Sequence, residues 1–393
     1  MHYAVPRILD EAKMLRAFYT DACATGGVFR ALNLIPGMMR SRGLERLLAR
    51  RPEGVLSSRV HSFPLLGLEY KRRLATARTS EGALKVHLWM GRRFGRSVLD
   101  SAGNSWTDAY VFNSAGLEIL EFCRAREKRG FLEQCIAPRL KELSLLREEA
   151  LCSPEWGNPP NVTVADSEFA EIERQEWAAA TMIICPSEFV RDGLVEEGAD
   201  AARIRVVPYG VDVPDRRPAA KDRDSQGPVR VLVAGAVGLR KGSRDVCEAA
   251  RLLGNKAQVR MVGSLAGLPA AVLSRLRSHV DVLGPVSRPS MSEHYSWADV
   301  FLLPSLCEGS ATVIYEALAH GLPVICTPNT GSVVRDGMDG FIVPIRDAAT
   351  TAARLEQLAG DRELRTWMGA NARQRASEFT VAAYGRRLLA ALS

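Results

Sequence analysis

Short apolar runs alternate with helix-like segments along most of this 393-residue chain. Such alternation is typical of parallel sheets covered by helices, and it limits the fold more than any other feature does. In the second half we expect strands at the apolar runs 229–237, 257–263, 280–286, 298–305 and 322–327. Comparable runs in the first half are 108–114, 129–135, 180–187 and 204–210. The pattern predicts an α/β fold with two doubly wound, Rossmann-like domains that face each other across a cleft and bind ligands at the carboxyl ends of their strands.

A segment rich in Pro, Asp and Arg separates the two halves and reads as a linker over residues 214–228. The predicted domains are therefore residues 1–213 and 229–375, and a closing helix at 376–393 is expected to pack back on the N-terminal domain. The chain opens with a helix-like segment that leads to a strand. We thus expect the usual first strand of the N-terminal sheet to be missing or to lie upstream.

Cysteine usage and hydropathy indicate the cellular compartment. The eight cysteines are scattered without a CxxC pair, and several lie in apolar runs. This distribution favours reduced, mostly buried thiols in a cytoplasmic protein over a disulfide framework or a zinc site. The sequence shows neither a secretory signal nor an uninterrupted apolar run of about 18 residues, so no membrane span is predicted.

The positive charge is concentrated near the N-terminus. Residues 1–100 hold 18 Lys and Arg against 8 Asp and Glu, whereas the whole chain carries a formal charge of +7. Basic stretches at 38–51 and 69–73 can attract anionic lipid, so we expect an anionic membrane surface as a partner, at the inner face of the membrane. An ordinary solvated face is the alternative. No nucleic-acid-binding module is recognisable, so nucleic acid is not an expected partner.

One candidate anion site follows the first strand of the second half. There a glycine turn containing Gly238 precedes Arg240 and Lys241, and Ser243 is placed to cap the next helix. Backbone amides at a helix N-terminus favour a phosphate, and the two cations would add charge-assisted hydrogen bonds. The alternative is a tight turn with incidental basic residues, because the spacing matches neither the P-loop nor the dinucleotide-binding fingerprint.

Two glutamates, Glu308 and Glu316, are separated by seven residues just after a predicted strand. In a continuous helix they would lie about 80° apart around the axis and about 12 Å apart along it. That distance is too great for one acid/base pair, so they are expected to contact different parts of an extended ligand. Ser310 or Thr312 is placed to cap the helix. The alternative is a pair of surface glutamates.

From about residue 177 onward the chain resembles glycosyltransferase family 4. The resemblance is carried, in this order, by "WAAATMIICPSEFVRDGLVEEGADAARIRVVPYGVD", "GLRKG", "VDVLGPVSRPSMSEHYSWADVFLLPSLCEGSATVIYEALAHGLPVI" and "TGSVVRDGMDGFIVPIRD". It implies the two-domain GT-B fold and a retaining transfer of a sugar from a UDP-sugar or GDP-sugar donor. It also implies that no metal ion or other cofactor is needed.

The resemblance assigns roles residue by residue. Glu308 would contact hydroxyls of the donor sugar, and Glu316 would bind the ribose. Arg240 and Lys241, which follow Gly238, would hold the diphosphate. The backbone amides expected to face the diphosphate or the sugar are those of Gly309, Ser310, Ala311 and Thr312. The base is expected to lie near Leu283, Gly284 and Val286.

The first half departs from the family pattern. Many members carry a third cation where this chain has Gly235-Ala236, and a histidine where it has Asn113 and Ser114. From topology alone, Asn113, Ser114, Glu133 and Gln134 are expected at strand ends on the acceptor side.

Two functions remain open from the sequence. The first is a retaining hexosyltransferase-type glycosyltransferase that acts on a glycan or a lipid-linked acceptor in polysaccharide or glycolipid synthesis. The second is a non-catalytic nucleotide-sugar-binding subunit of a glycan-synthesis complex, which the altered first half suggests. A nucleotide-sugar epimerase is disfavoured by the order of the motifs.

Overall fold

The computed structural model describes residues 3–24, 48, 50–213 and 227–393. The strands of this part are β1 (Phe18–Thr20), β2 (Val60–Ser62), β3 (Asp108–Phe112), β4 (Arg129–Glu133), β5 (Met182–Cys185), β6 (Ile204–Val206), β7 (Val229–Ala234), β8 (Ala257–Val262), β9 (Asp281–Gly284), β10 (Val300–Leu303), β11 (Val324–Cys326) and β12 (Gly340–Ile342). Its helices are α1 (Ala4–Glu11), α2 (Pro64–Thr76), α3 (Ser80–Ala102), α4 (Leu117–Ala125), α5 (Arg139–Cys152), α6 (Val164–Ala179), α7 (Glu188–Glu196), α8 (Ser243–Leu253), α9 (Ala270–Arg277), α10 (Met291–Trp297), α11 (Thr312–Ala319), α12 (Ala348–Gly360), α13 (Arg362–Glu378) and α14 (Val381–Leu392).

The second half of the chain forms a six-stranded parallel sheet in the order β12-β11-β10-β7-β8-β9. Helices cover this sheet on both faces, which explains why every residue of its central strand β10 is buried. The five strands predicted here are confirmed, and β12 is an additional one. The strand order is that of a doubly wound sheet. The direction in which successive strands are added to the sheet reverses between β7 and β10.

The reversal places a crevice outside the carboxyl ends of β7 and β10. From β7 the chain runs in one direction through β8 to β9, and from β10 it runs in the opposite direction to β12. The loops that follow β7 and β10 therefore diverge to opposite faces of the sheet and leave a space between them. Both sequence motifs, the basic pair and the first glutamate, lie in these two loops.

The first half contains a four-stranded parallel sheet in the order β3-β4-β5-β6. All four of these strands were predicted. The residues described before β1 form helix α1, and β1 pairs in parallel with β2 in a separate two-stranded sheet.

The last helix of the chain returns to the first half. Tyr384 and Leu388 of α14 pack in one apolar cluster with Ile8, Phe131 and Ile184. The predicted linker at 214–228 lies almost entirely outside the described residues, and the domain boundaries stay a prediction.

The cysteines are mostly buried, as the sequence predicts. Of the eight cysteines, six are buried, Cys135 is partly buried and Cys152 is exposed. Among the described helices, none combines the length and the apolar character that crossing a bilayer requires.

Candidate functional site

Glycine allows the two loops of the crevice to meet. After β7 a short helical turn, Leu239–Lys241, ends at Gly242, whose φ of +69° is a left-handed conformation. A Cβ atom at this position would lie 2.0 Å from the carbonyl oxygen of Pro304, just after β10. The basic pair is consequently held directly against the loop that carries Glu308.

Ser243 has a different role from the predicted one. It is the first residue of α8 rather than its cap, because Gly242 occupies the capping position. The Ser243 hydroxyl accepts a hydrogen bond from the Gly238 amide at 2.9 Å. The amide of Gly238 therefore stabilises the turn and is not available to a ligand.

The loop after β10 is fixed by hydrogen bonds to the loop after β11. The Glu308 amide donates to the carbonyl of Asn329 at 3.0 Å, and the Ala311 amide donates to that of Thr330 at 3.1 Å. The Ser310 hydroxyl lies 2.8 Å from the carbonyl oxygen of Gly331. The backbone around Glu308 is thus positioned before any ligand binds.

Helix α11 begins without a side-chain cap. It starts at Thr312, and neither Ser310 nor Thr312 caps it as predicted, because the Ser310 hydroxyl is engaged with Gly331 and with Tyr315. No described residue accepts a hydrogen bond from the amides of Gly309, Ser310 and Thr312. Three of the four predicted amides are available to an anion, whereas the prediction is wrong for Ala311, whose amide is engaged with Thr330.

Arg240, Lys241 and Glu308 form one ion cluster. Oε1 of Glu308 accepts from Nη1 of Arg240 at 2.9 Å and from Nζ of Lys241 at 2.7 Å. Nη1 of Arg240 also donates to the carbonyl of Cys307 at 2.9 Å. Two motifs that are far apart in sequence therefore meet where the strand order of the sheet reverses.

The cluster is mostly shielded from solvent. The exposed fraction of the side chain is 10% for Glu308, 13% for Lys241 and 31% for Arg240. Burial lowers the pKa of Lys241, and the carboxylate of Glu308 opposes this effect. Among the described residues, Glu308 is the carboxylate within hydrogen-bonding distance of these two cations, so a second anion such as a phosphate group would be stabilised beside them.

The first half of the chain contributes residues to this site that the sequence did not reveal. Glu142 on α5 lies with Oε1 3.8 Å from Nε of Arg240. The Ser187 hydroxyl donates to the carbonyl of Gly309 at 2.5 Å. On the same side, Nε of Arg346 is 2.9 Å from Oε2 of Glu149. No periodic pattern marks such residues, since each partner lies more than 90 positions away in sequence.

Glu316 is separate from the ion cluster. It lies in the second turn of α11, while Glu308 lies in the preceding loop, so the continuous-helix distance does not apply to the pair. Oε2 of Glu316 accepts from the Tyr295 hydroxyl at 2.8 Å, and Oε1 is 3.8 Å from Nη2 of Arg288. Its side chain is 26% exposed, so one face of the carboxylate is open to a ligand.

The three residues predicted near the base lie at and just after the end of β9. Leu283 is 43% exposed, whereas Val286 is partly buried against the core. Gly284 adopts a φ of +77°, and its carbonyl accepts from the Gly263 amide at 3.0 Å. The exposed face of Leu283 is available for an apolar contact.

All four residues predicted on the acceptor side make hydrogen bonds within the fold. Oδ1 of Asn113 accepts from the Cys135 amide at 3.2 Å, and the Ser114 amide donates to Glu176 at 2.9 Å. The Gln134 side chain donates to Glu173 at 2.9 Å. The fourth, Glu133, is 3% exposed and lines a cavity.

No group of three His, Cys, Asp or Glu side chains suited to a metal ion occurs in the described ranges.

The second half of the chain is similar to known glycosyltransferases. Residues 228–361 match the family model described as "Glycosyl transferases group 1". A D-inositol 3-phosphate glycosyltransferase from Geodermatophilus obscurus is 33% identical over 233 residues, which is 53% of this chain and 51% of the relative. The enzyme of the same name from Xylanimonas cellulosilytica is 30% identical over 230 residues, or 53% and 55%. The chain thus spans about half the length of these curated relatives.

Solved structures resemble the fold over most of the chain. HepE from Anabaena, in complex with UDP and glucose, has a TM-score of 0.62 at 15% identity and covers 100% of this chain and 95% of its own. Sucrose-phosphate synthase from Thermosynechococcus elongatus has a TM-score of 0.60 at 18% identity, with coverage of 78% and 79%. The predicted GT-B fold is confirmed.

Proposed function

We propose that this GT-B protein is a retaining glycosyltransferase that transfers a hexose from a nucleoside diphosphate sugar to a polysaccharide or glycolipid acceptor. The observation that carries the proposal is the Arg240–Lys241–Glu308 cluster at the reversal point of the sheet. Unengaged amides of Gly309 and Ser310 lie directly beside it. Cations, amides and a carboxylate side by side suit a diphosphate joined to a sugar.

In this proposal Arg240 and Lys241 bind the diphosphate and stabilise the negative charge that develops on the leaving group. The amides of Gly309, Ser310 and Thr312 donate to the same phosphates or to the sugar. Glu308, released from the cations by the phosphates, accepts hydrogen bonds from sugar hydroxyls. The leaving phosphate helps to deprotonate the acceptor on the same face of the sugar, without a metal ion or another cofactor.

The nucleoside would extend from the cluster towards α11. Glu316, oriented by its bond to Tyr295, would accept from the ribose hydroxyls. The base would contact Leu283, Gly284 and Val286. The donor is proposed to be a UDP-sugar or a GDP-sugar, and the solved complex of HepE with UDP-glucose supports the first of these.

The proposal is tested with the purified chain and a panel of UDP-, GDP- and ADP-sugars. A bound donor should raise the melting temperature, and acceptor-dependent release of the nucleoside diphosphate should follow. We expect Lys241→Ala to reduce the thermal shift and Glu308→Gln to reduce turnover strongly. Lys256→Ala, which removes an exposed lysine paired with Glu356, is the matched control.

The absence of any donor-dependent shift, or turnover that both variants leave unchanged, would refute the proposal. Donor binding with no turnover towards any acceptor would instead favour the binding subunit.

We also propose that the protein is cytoplasmic and associates with the inner face of the membrane. On α2 the side chains of Leu65, Leu68 and Arg72 share one helix face, and all three are exposed. Apolar and basic residues exposed together are suited to an anionic bilayer surface. The basic stretch at 38–51 lies mostly outside the described residues.

Flotation with vesicles that contain anionic lipid should recover the protein, and this recovery should fall as salt rises. The double variant L65S/L68S should reduce recovery, while Leu252→Ser, an exposed leucine in the second half, should not. Recovery that depends on neither lipid charge nor salt contradicts the proposal.

A further inference from the structure

A cavity of about 670 Å³ lies at the carboxyl ends of β3 and β4. Its lining includes Phe112, Ser114, Glu133, Cys135, Tyr209 and Tyr384. Ligands of parallel sheets bind at this end of the strands. The cavity therefore occupies the place in the first half that the crevice occupies in the second.

The cavity adjoins the donor loop. Cys135 lines the cavity, and its carbonyl oxygen would lie 1.7 Å from a Cβ atom at Gly309. Gly309 directly follows Glu308, which is proposed to hold the donor sugar. A group bound in the cavity thus lies next to the transferred sugar.

Glu133 is a buried carboxylate whose partners are neutral. Oε2 accepts from the Tyr110 hydroxyl at 2.7 Å, and Oε1 accepts from the Tyr209 hydroxyl at 3.1 Å. Burial raises the pKa of Glu133, and the two hydrogen bonds oppose this effect. Because a carboxylate offers about four acceptor positions, two of them remain for hydroxyls of a ligand.

The same cavity contains a buried donor. The hydroxyl of Tyr384 is close to Tyr110, but within the described part of the chain it makes no hydrogen bond of acceptable geometry. A buried hydroxyl without a partner is unfavourable, and a ligand hydroxyl beside Glu133 would supply that partner. The residue is otherwise an ordinary member of the apolar cluster with α1.

The charge of the described lining residues disfavours an anionic ligand. None of the described residues that line the cavity is Lys or Arg. His87 is bonded to the Tyr70 hydroxyl at 2.8 Å, and burial lowers its pKa. The other carboxylate, Asp21, is paired with Arg50 at 3.1 Å. A phosphate entering here would meet a carboxylate and no unpaired cation of the described lining.

We propose that this cavity binds the acceptor, and that the acceptor group which enters it is an uncharged sugar or polyol whose hydroxyls bond to Glu133 and Tyr384. The aromatic side chains of the lining provide faces on which a sugar ring can pack. The inference rests on the proposed glycosyltransferase function. It differs from the acceptor named for the curated relatives, which carries a phosphate.

The test uses matched pairs of probes that differ in one phosphate: methyl α-D-glucopyranoside against methyl α-D-glucopyranoside 6-phosphate, and myo-inositol against myo-inositol 3-phosphate. Binding to the full chain is measured by saturation-transfer NMR without donor. We expect the neutral member of at least one pair to bind about tenfold more tightly or better, because a site without cations rejects the anion.

Two variants test the roles of Glu133 and Tyr384. Glu133→Gln removes the charge at nearly constant size, and Tyr384→Phe removes one hydroxyl that the fold itself does not use. Each should weaken binding of the neutral probe about tenfold, which is the cost of one charged or buried hydrogen bond, and leave the donor-dependent thermal shift unchanged. Glu118→Gln, a half-buried carboxylate on α4 outside the cavity lining, is the control.

Preference for the phosphorylated members, failure of every neutral probe to bind, or unchanged binding in both variants would overturn the inference. If Glu133→Gln does not fold, Tyr384→Phe decides alone. If the protein binds the neutral probes as expected but binds no nucleotide sugar, the proposed function is refuted. The inference about the cavity then stands. The two failures are therefore distinguishable.

Discussion

Replacement of Glu308 by Gln should make the protein less stable and yet a better binder of a free nucleoside diphosphate. In the structure the Glu308 carboxylate neutralises both Arg240 and Lys241, at 2.9 and 2.7 Å. Glutamine keeps the shape of the side chain but removes this charge. Arg240 would retain Glu142 at 3.8 Å, while Lys241 would lose the carboxylate that stabilises its charged form.

The cost to stability follows from the burial of the cluster. Removal of one partner of a fully buried ion pair costs about 3–5 kcal/mol. Because Arg240 is 31% exposed, solvent compensates for part of the loss, and we expect about 1–3 kcal/mol. For a chain with domains of this size, that change lowers the melting temperature by about 2–4 °C per kcal/mol.

The gain in binding comes from the same contacts. In the natural protein a diphosphate would compete with Glu308 for two cations, whereas in the variant Lys241 loses this partner and Arg240 keeps the more distant Glu142. We expect the affinity for UDP or GDP without a sugar to rise about tenfold, equivalent to about 1.4 kcal/mol. Turnover should fall about 10- to 100-fold or more, because the hydrogen bonds between a charged group and the sugar hydroxyls are lost.

Isothermal titration with UDP and GDP, together with thermal unfolding in the absence of nucleotide, measures both effects. Glu356→Gln, which removes the carboxylate of the exposed Lys256–Glu356 pair, is the control and should change neither. Equal or weaker nucleotide affinity in Glu308→Gln, with an unchanged melting temperature, would show that the carboxylate does not restrain the two cations.

Three further perturbations test other parts of the site. Gly309→Ala should reduce turnover and destabilise by about 1–3 kcal/mol, because its Cβ would lie 1.7 Å from the Cys135 carbonyl oxygen; Gly360→Ala, which meets no atom within 4 Å, is the control for thermal unfolding. Tyr295→Phe should raise the KM for the donor about three- to tenfold, because it frees Glu316 from a 2.8 Å hydrogen bond, and an unchanged KM would contradict that positioning role. Burial raises the pKa of Glu173 and Glu176 to about 7 from 4.5; stability that these groups provide is complete below about pH 4.5 and declines as the pH rises to about 7, by roughly 3 kcal/mol each. Glu176→Gln should flatten this dependence in unfolding measured between pH 4.5 and 8, and an unaltered slope would refute the assignment.

Five strands of the second sheet, and the placement of the basic pair and Glu308 in one site, were predictable because each depends on a local signal. Strands such as Val300–Leu303 are buried on both faces and appear as continuous apolar runs. Arg240 and Glu308 each follow a strand of one parallel sheet, so the strand order alone brings them to one edge. Strand β12 was missed because its three residues, Gly340–Ile342, make too short a run for periodicity to reveal.

The predicted helix caps are wrong because they were inferred from residue type and position alone. Ser310 and Ser243 are residues that favour capping positions. In the fold, however, the Ser310 hydroxyl is engaged by Gly331 and Tyr315, and the Ser243 hydroxyl accepts from Gly238. Another partner therefore replaced the helix amide in both cases: the carbonyl of Gly331 for Ser310, and the amide of Gly238 for Ser243. The cap missing from α11 is what leaves the amides beside Glu308 available to an anion.

The same limit explains why the acceptor side was only located and not described. Glu133 was expected at a strand end, but its partner Tyr209 lies 76 residues away, and no spacing in the sequence links the two. What the strand order cannot supply is the sign of the charge in the cavity, which depends on whether a cation from a distant segment reaches Glu133. In the described residues hydroxyls reach it instead. The crevice of the second half is therefore built around cations and the adjoining cavity around a carboxylate, which under the proposed function suits a diphosphate on Arg240 and Lys241 and an uncharged group beside Glu133.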